Sequence, residues 1–137
     1  MTPDQNQELR GKWPFDVNLD QQHYTRRLLE SYRRTPTVAG YVRRADRLLA
    51  AQLYQRGVPL ALVEAAFSLA AARRIFRDPE LGPLNPIRSL HYFLPVLDEL
   101  LRSPPDPGYI QYLDLKLKID SERRGLLLAN EISFVRR

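Results

Sequence analysis

Apolar side chains recur along this chain at steps of three and four, and prolines interrupt the pattern between successive stripes. Tyr24, Leu28, Leu29 and Tyr32 share one face of a helix predicted over 20–34, with Asp20 as its N-cap. Thr35-Pro36 stops it, because the residue before a proline avoids the α region. Val38, Tyr41, Val42, Ala45, Leu48, Leu49 and Leu53 form a second stripe, predicting a helix over 38–56 closed by a left-handed Gly57. Pro59 suits the first turn of a third helix, where its missing N–H is harmless. That helix buries Leu62, Val63, Ala66, Phe67 and Ala70 and ends near Asp78-Pro79.

Residues 79–86 read as a proline-rich loop, and Asn85-Pro86 gives a cap and first turn for a fourth helix reaching Ser103. Its stripe is Ile87, Leu90, Leu94, Leu97 and Leu101, with Pro95 inside it, predicting a bend over 91–95. Asp106-Pro107 starts a fifth helix carrying Tyr109, Ile110, Leu113 and Leu117. Leu113, Leu115, Leu117 and Ile119 also alternate with polar residues, as a strand would; the short loops and the lack of a partner strand favour helix. The prediction is an all-α fold, a compact bundle of about five helices over residues 20–125. An N-terminal arm (1–19) carries Trp13 and Phe15, and a C-terminal tail (126–137) is either a short helix or extended.

Composition narrows the function classes. At 137 residues and 44% hydrophobic content the chain suits one domain with one core. No apolar run approaches the roughly 20 residues of a membrane span. The polar, acid-containing start resembles no targeting segment. With no cysteine there is no disulfide framework, thiolate metal site or cysteine nucleophile, which suits a cytoplasmic protein.

Charge changes the picture more. Residues 33–88 carry ten arginines against Asp46, Glu64, Asp78 and Glu80, and that segment supplies the whole excess of the +5 chain. A genome that favours arginine codons accounts for few lysines, but not for the clustering. Arg33, Arg34, Arg73, Arg74 and Arg77 fall at predicted helix C-termini, where the helix dipole welcomes cations by about 0.3–1 kcal/mol. Arg43, Arg44 and Arg47 fall near a helix start, where it does not, so a partner is the better explanation. The guanidinium fork suits phosphate. The candidate nucleic-acid-binding residues are therefore Arg43, Arg44, Arg47, Arg73, Arg74 and Arg77, with Arg33, Arg34 and Arg88 peripheral.

Catalytic and cofactor signals are missing. His23 and His91 lie on separate helices without metal-ligand spacing, and His91 beside Tyr92 reads as a partly buried histidine sooner than as a base. Asp98 and Glu99 point about 100° apart on a helix. The six glycines are scattered singly, so no phosphate loop exists. No enzymatic activity, cofactor, metal, membrane or small-molecule substrate is expected. Tyr24, Tyr32, Tyr41 and Tyr109 sit on apolar stripes and read as core, whereas Tyr54 and Tyr112 lie nearer the edges.

A helix-turn-helix is the obvious test of the second and third helices. The third helix would then offer bases Pro59, Leu60, Ala61, Leu62 and Ala65, with Glu64 as its charge, a poor reading surface. The stretches RGVPLALVEAAFSLAAARR and IRSLHYFLPVLDELL instead resemble DnaD-like modules of bacterial replication-initiation proteins, through Gly57, Val63, Glu64, Ala66 and Ala70. That resemblance implies accessory DNA binding in replication or a mobile element, without catalysis. Two expectations result: a nucleic-acid-binding accessory protein, or a helical adaptor or subunit of a protein or ribonucleoprotein assembly. The second rests on the apolar ends, including Leu126, Leu127, Leu128, Ile132 and Phe134.

Overall fold

A computed structural model describes the backbone of residues 19–135 and the side chains of residues 19–125. Trp13 and Phe15 of the predicted arm, and the apolar side chains predicted to matter in the tail, lie outside the described residues. Five α-helices follow in order: α1 (Gln21–Arg34), α2 (Arg44–Gln55), α3 (Leu60–Ile75), α4 (Leu94–Arg102) and α5 (Pro107–Val135). Among the described residues there is no β-strand, and the fold is an all-α bundle.

Local signals set several boundaries as expected. The Asp20 carboxylate accepts from the His23 N–H (2.8 Å) and caps α1. At the far end of α2, Gly57 takes φ +75°. Its N–H reaches the Tyr54 carbonyl (2.9 Å) and the Val58 N–H reaches Leu53 (3.1 Å), the two bonds of a Schellman turn. The Tyr24 hydroxyl donates to the Val58 carbonyl (2.7 Å), so α1 fastens the turn that launches α3.

α3 is the central helix and packs against α1, α4 and α5. Ala65, Ala66, Ala70 and Ala71 are buried along it, and their small side chains let the neighbouring helices approach closely. Around Phe67 the rings of Tyr32 and Phe93 close an aromatic triad with centroids 4.8–6.2 Å apart. Such pairs add about 0.5–1.5 kcal/mol each beyond burial. Burial, reinforced by the Asp46 charge, raises the Tyr32 phenol to about 12.

Two boundaries differ from the pattern-based expectation. α2 begins at Arg44, not Val38. Thr37 takes φ +73° and Gly40 φ +93°, and Val38 pairs as a parallel bridge with Ile87. The Ile87 N–H reaches Thr37 O and the Ala39 N–H reaches Ile87 O, both at 2.8 Å. Val38 and Tyr41 thus lie in an extended segment, and Tyr41 is 76% exposed. The same bridge keeps Asn85 from capping a helix. Ser89 instead caps a 3₁₀ turn (Leu90–Phe93) that feeds α4. Pro95 therefore sits in the first turn of α4, where its missing N–H costs nothing, and there is no mid-helix bend.

The ambiguous segment after Asp106 is helical, and α5 runs on through Gly125 to Val135. Ile110, Leu113 and Leu117 face the core. Leu115 and Ile119, which strand-like alternation would have buried with them, are exposed. No helix of the described residues is long and apolar enough to cross a membrane.

Candidate nucleic-acid interface

The late start of α2 sharpens the position of its arginines. Arg43 is the N-cap, Arg44 the first helical residue, and Arg47 lies one turn on. All three are exposed, and among the described residues none meets a carboxylate within ion-pair distance. The acid in that first turn, Asp46, faces inward and is 1% exposed. One carboxylate oxygen accepts from the Arg43 N–H and the other from the Leu90 N–H, each at 2.9 Å. Asp46 thus ties the start of α2 to the 3₁₀ turn and leaves the adjacent guanidiniums facing solvent. Sequence reading passed over this residue, although an acid three positions after an N-cap is a recognisable capping spacing.

The arginines at the end of α3 are held differently. Arg73 grips Glu99 of α4 with both terminal nitrogens, at 2.8 and 2.6 Å. That contact holds the Glu99 carboxyl below its ordinary range and the Arg73 guanidinium above its own. Arg74 donates to the Thr37 hydroxyl (3.0 Å), the Tyr92 hydroxyl (3.0 Å) and the Asn85 carbonyl. Its guanidinium also lies 5.3 Å from the Tyr92 ring centroid. Arg77 is half-buried and has no carboxylate within ion-pair distance among the described residues. Arg73, Arg74 and Arg77 line one open cleft of about 390 Å³ with Tyr92 and Leu84. By their partners the six candidates form two groups: Arg73 and Arg74 are tied to neighbouring segments, whereas Arg43, Arg44 and Arg47 have no carboxylate within ion-pair distance among the described residues. Arg33 and Arg88 are exposed apart from these clefts, and Arg34 lines another.

That other cleft, about 500 Å³ between α1, α3 and α5, is lined by Arg27, Arg34, Ser31, Glu64, Ser68 and Asp114 among others. Burial raises the Glu64 carboxyl and the nearby Asp114 charge adds to this, while Arg27 and the Ser31 hydroxyl oppose it. The Ser68 hydroxyl donates to Asp114. The charges here are balanced between two acids and two arginines, which gives a phosphate no net attraction.

Several sequence expectations meet their geometry here. The first residues of α3 cannot enter a DNA groove, because Leu60, Leu62, Val63 and Ala65 are all core. His91 is exposed, with its ring 3.3 Å from the Ser89 hydroxyl, so it is not the partly buried histidine expected. His23 is held by Asp20. Tyr24 and Tyr32 are core as expected, but Tyr41 and Tyr109 are exposed. Tyr112 is exposed as expected, whereas Tyr54 packs edge-on against Tyr24. Among the described residues no group of three or more potential ligands could hold a metal ion. No family model, no curated protein and no solved structure matches the chain.

Proposed function

We propose that the protein is a non-catalytic nucleic-acid-binding accessory protein of the cytoplasm that grips phosphates through its arginines. The observation that carries this is the exposed set Arg43, Arg44 and Arg47 in the first turn of α2, with the nearest acid turned into the core. Like charges at the positive end of a helix oppose folding, so their presence is best explained by an anionic partner. Phosphate contacts position a protein without reading bases, so sequence preference is weak. The resemblance of 56–74 and 87–101 to DnaD-like modules adds a setting, accessory work on DNA in replication or in a mobile element.

Anisotropy titrations of labelled DNA and RNA at several salt concentrations test this reading. Binding should weaken steeply with salt, and the Arg43→Glu/Arg44→Glu/Arg47→Glu protein should lose it. Each lost phosphate contact flattens the log–log salt slope by about 0.9. Absence of binding at low salt, or affinity unchanged by the reversal, overturns it. A second reading, a helical adaptor or subunit of a larger assembly, is favoured by the exposure of Leu115 and Ile119 on α5. Under it, removing residues 126–137 disrupts a protein complex and charge reversal does not.

A further inference from the structure

Among the described residues, four of the five exposed rings, all but Tyr41, are gathered where the second group of arginines lies. Phe76, Tyr109 and Tyr112 are 44–54% exposed and line one cleft of about 490 Å³ together with Arg73 and Lys116. The rings of Tyr109 and Tyr112 are inclined at 29°, with centroids 6.5 Å apart. The Lys116 ammonium lies 4.8 Å from the Phe76 centroid and 5.5 Å from that of Tyr112. Arg73 lines this cleft and also the next, where Arg74, Arg77 and Tyr92 follow. Arg74 and Leu84 in turn continue into a third cleft, which Arg124 also lines. Glu99, which lines the first cleft, is already held by both terminal nitrogens of Arg73, and Arg124 is paired with Asp120 (3.1 Å).

We infer that this run of clefts is a binding track for single-stranded nucleic acid. Tyr109, Tyr112 and Phe76 stack its bases, and Arg77 and Lys116 attend its phosphates. The inference rests on the nucleic-acid reading above, names its substrate class and adds a contact region apart from Arg43, Arg44 and Arg47, which line none of these three clefts. A duplex keeps its base faces inside the stack, so exposed rings gain nothing from it. A single strand presents every base face, and an alternation of rings and cations is what such a strand needs. The sign of the charge argues for this occupant over an apolar protein surface, which would leave the cations uncompensated.

The test is titration of labelled dT20 and of a matched 20-base-pair duplex with wild type, Tyr109→Ala/Tyr112→Ala and Tyr109→Phe/Tyr112→Phe. Both positions are about half exposed, so unchanged circular dichroism and thermal midpoint are expected for each variant. Wild type should bind dT20 at least about tenfold tighter than duplex, and the alanine variant should lose about tenfold or more on dT20 alone. The phenylalanine variant should bind as wild type does, since stacking uses the ring and not the hydroxyl. Equal binding of strand and duplex, indifferent to the rings, overturns the track and leaves the phosphate reading standing. No binding of either nucleic acid overturns both. Self-association that the alanine variant abolishes, with dT20 affinity unchanged, overturns the track and assigns the rings to a protein contact.

Discussion

The arginines that open α2 and those that close α3 share a residue type and almost nothing else. Arg43, Arg44 and Arg47 stand at the positive end of a helix, solvent-facing, beside an acid that has turned its back on them. Arg73 and Arg74 stand at the negative end of a helix, where a cation is welcome, and both are tied into neighbouring segments. Arg74 in particular reaches three points that are distant in sequence, Thr37, Asn85 and Tyr92. It thereby helps hold Thr37 at a positive φ, a strained conformation for a β-branched residue. A count of positive charges treats the two groups as equals. Their surroundings make one a means of holding the chain together and leave the other with no evident structural task.

That contrast can be broken by substitution, and the largest effect should come from Asp46, the acid within the first group. Asp46→Ala leaves the Arg43 and Leu90 N–H groups without their acceptor and detaches α2 from the 3₁₀ turn. The Leu90 N–H is buried and the Arg43 N–H partly so; an unsatisfied buried donor costs about 1–3 kcal/mol, so a loss of roughly 3 kcal/mol is expected in denaturant melts. Asp46→Asn, which keeps one acceptor oxygen, should fall between. Equal stability of wild type and Asp46→Ala would show that the Asp46 bonds do not organise the start of α2.

Arg74→Ala comes next. It removes three hydrogen bonds from a charged donor and the cation–π contact with Tyr92, and should cost about 2 kcal/mol. For a chain of this size that is roughly a 6–10 °C fall in thermal midpoint. Arg47→Ala, by contrast, should change stability by no more than about 0.5 kcal/mol. A similar cost for both would erase the distinction between the two groups.

The parts of this molecule written in local signals were legible in its sequence, and the parts held from a distance were not. Asp20 caps α1 and Gly57 closes α2 because a carboxylate three residues before an N–H, or a glycine after a helix, acts within one turn. The start of α2 was misplaced because Val38 and Tyr41 continue a helical stripe on paper. What removes them from the helix is the bridge to Ile87, made by a segment far along the chain. The displaced start of α4 has the same origin. Tyr109 shares a helical stripe with Ile110 and Leu113 and so reads as core, yet it lies at the edge of that stripe and is 49% exposed while those two are buried. The six candidate arginines were legible as a set. Their division was not, since the partners that distinguish them are tertiary neighbours.

One further small effect has an unexpected sign. Arg44 occupies the first position of α2, where the helix dipole disfavours a cation and welcomes an anion by about 0.3–1 kcal/mol. Arg44→Glu should therefore raise stability slightly, by up to about 1 kcal/mol at low salt, and the gain should fade as salt screens it. The same substitution should weaken nucleic-acid binding under the proposed function. A protein that becomes more stable as it loses its ligand is what a charge kept for a partner predicts. A charge kept for the fold predicts loss of both together, and thermal melts of Arg44→Glu alongside its dT20 and duplex titrations separate the two.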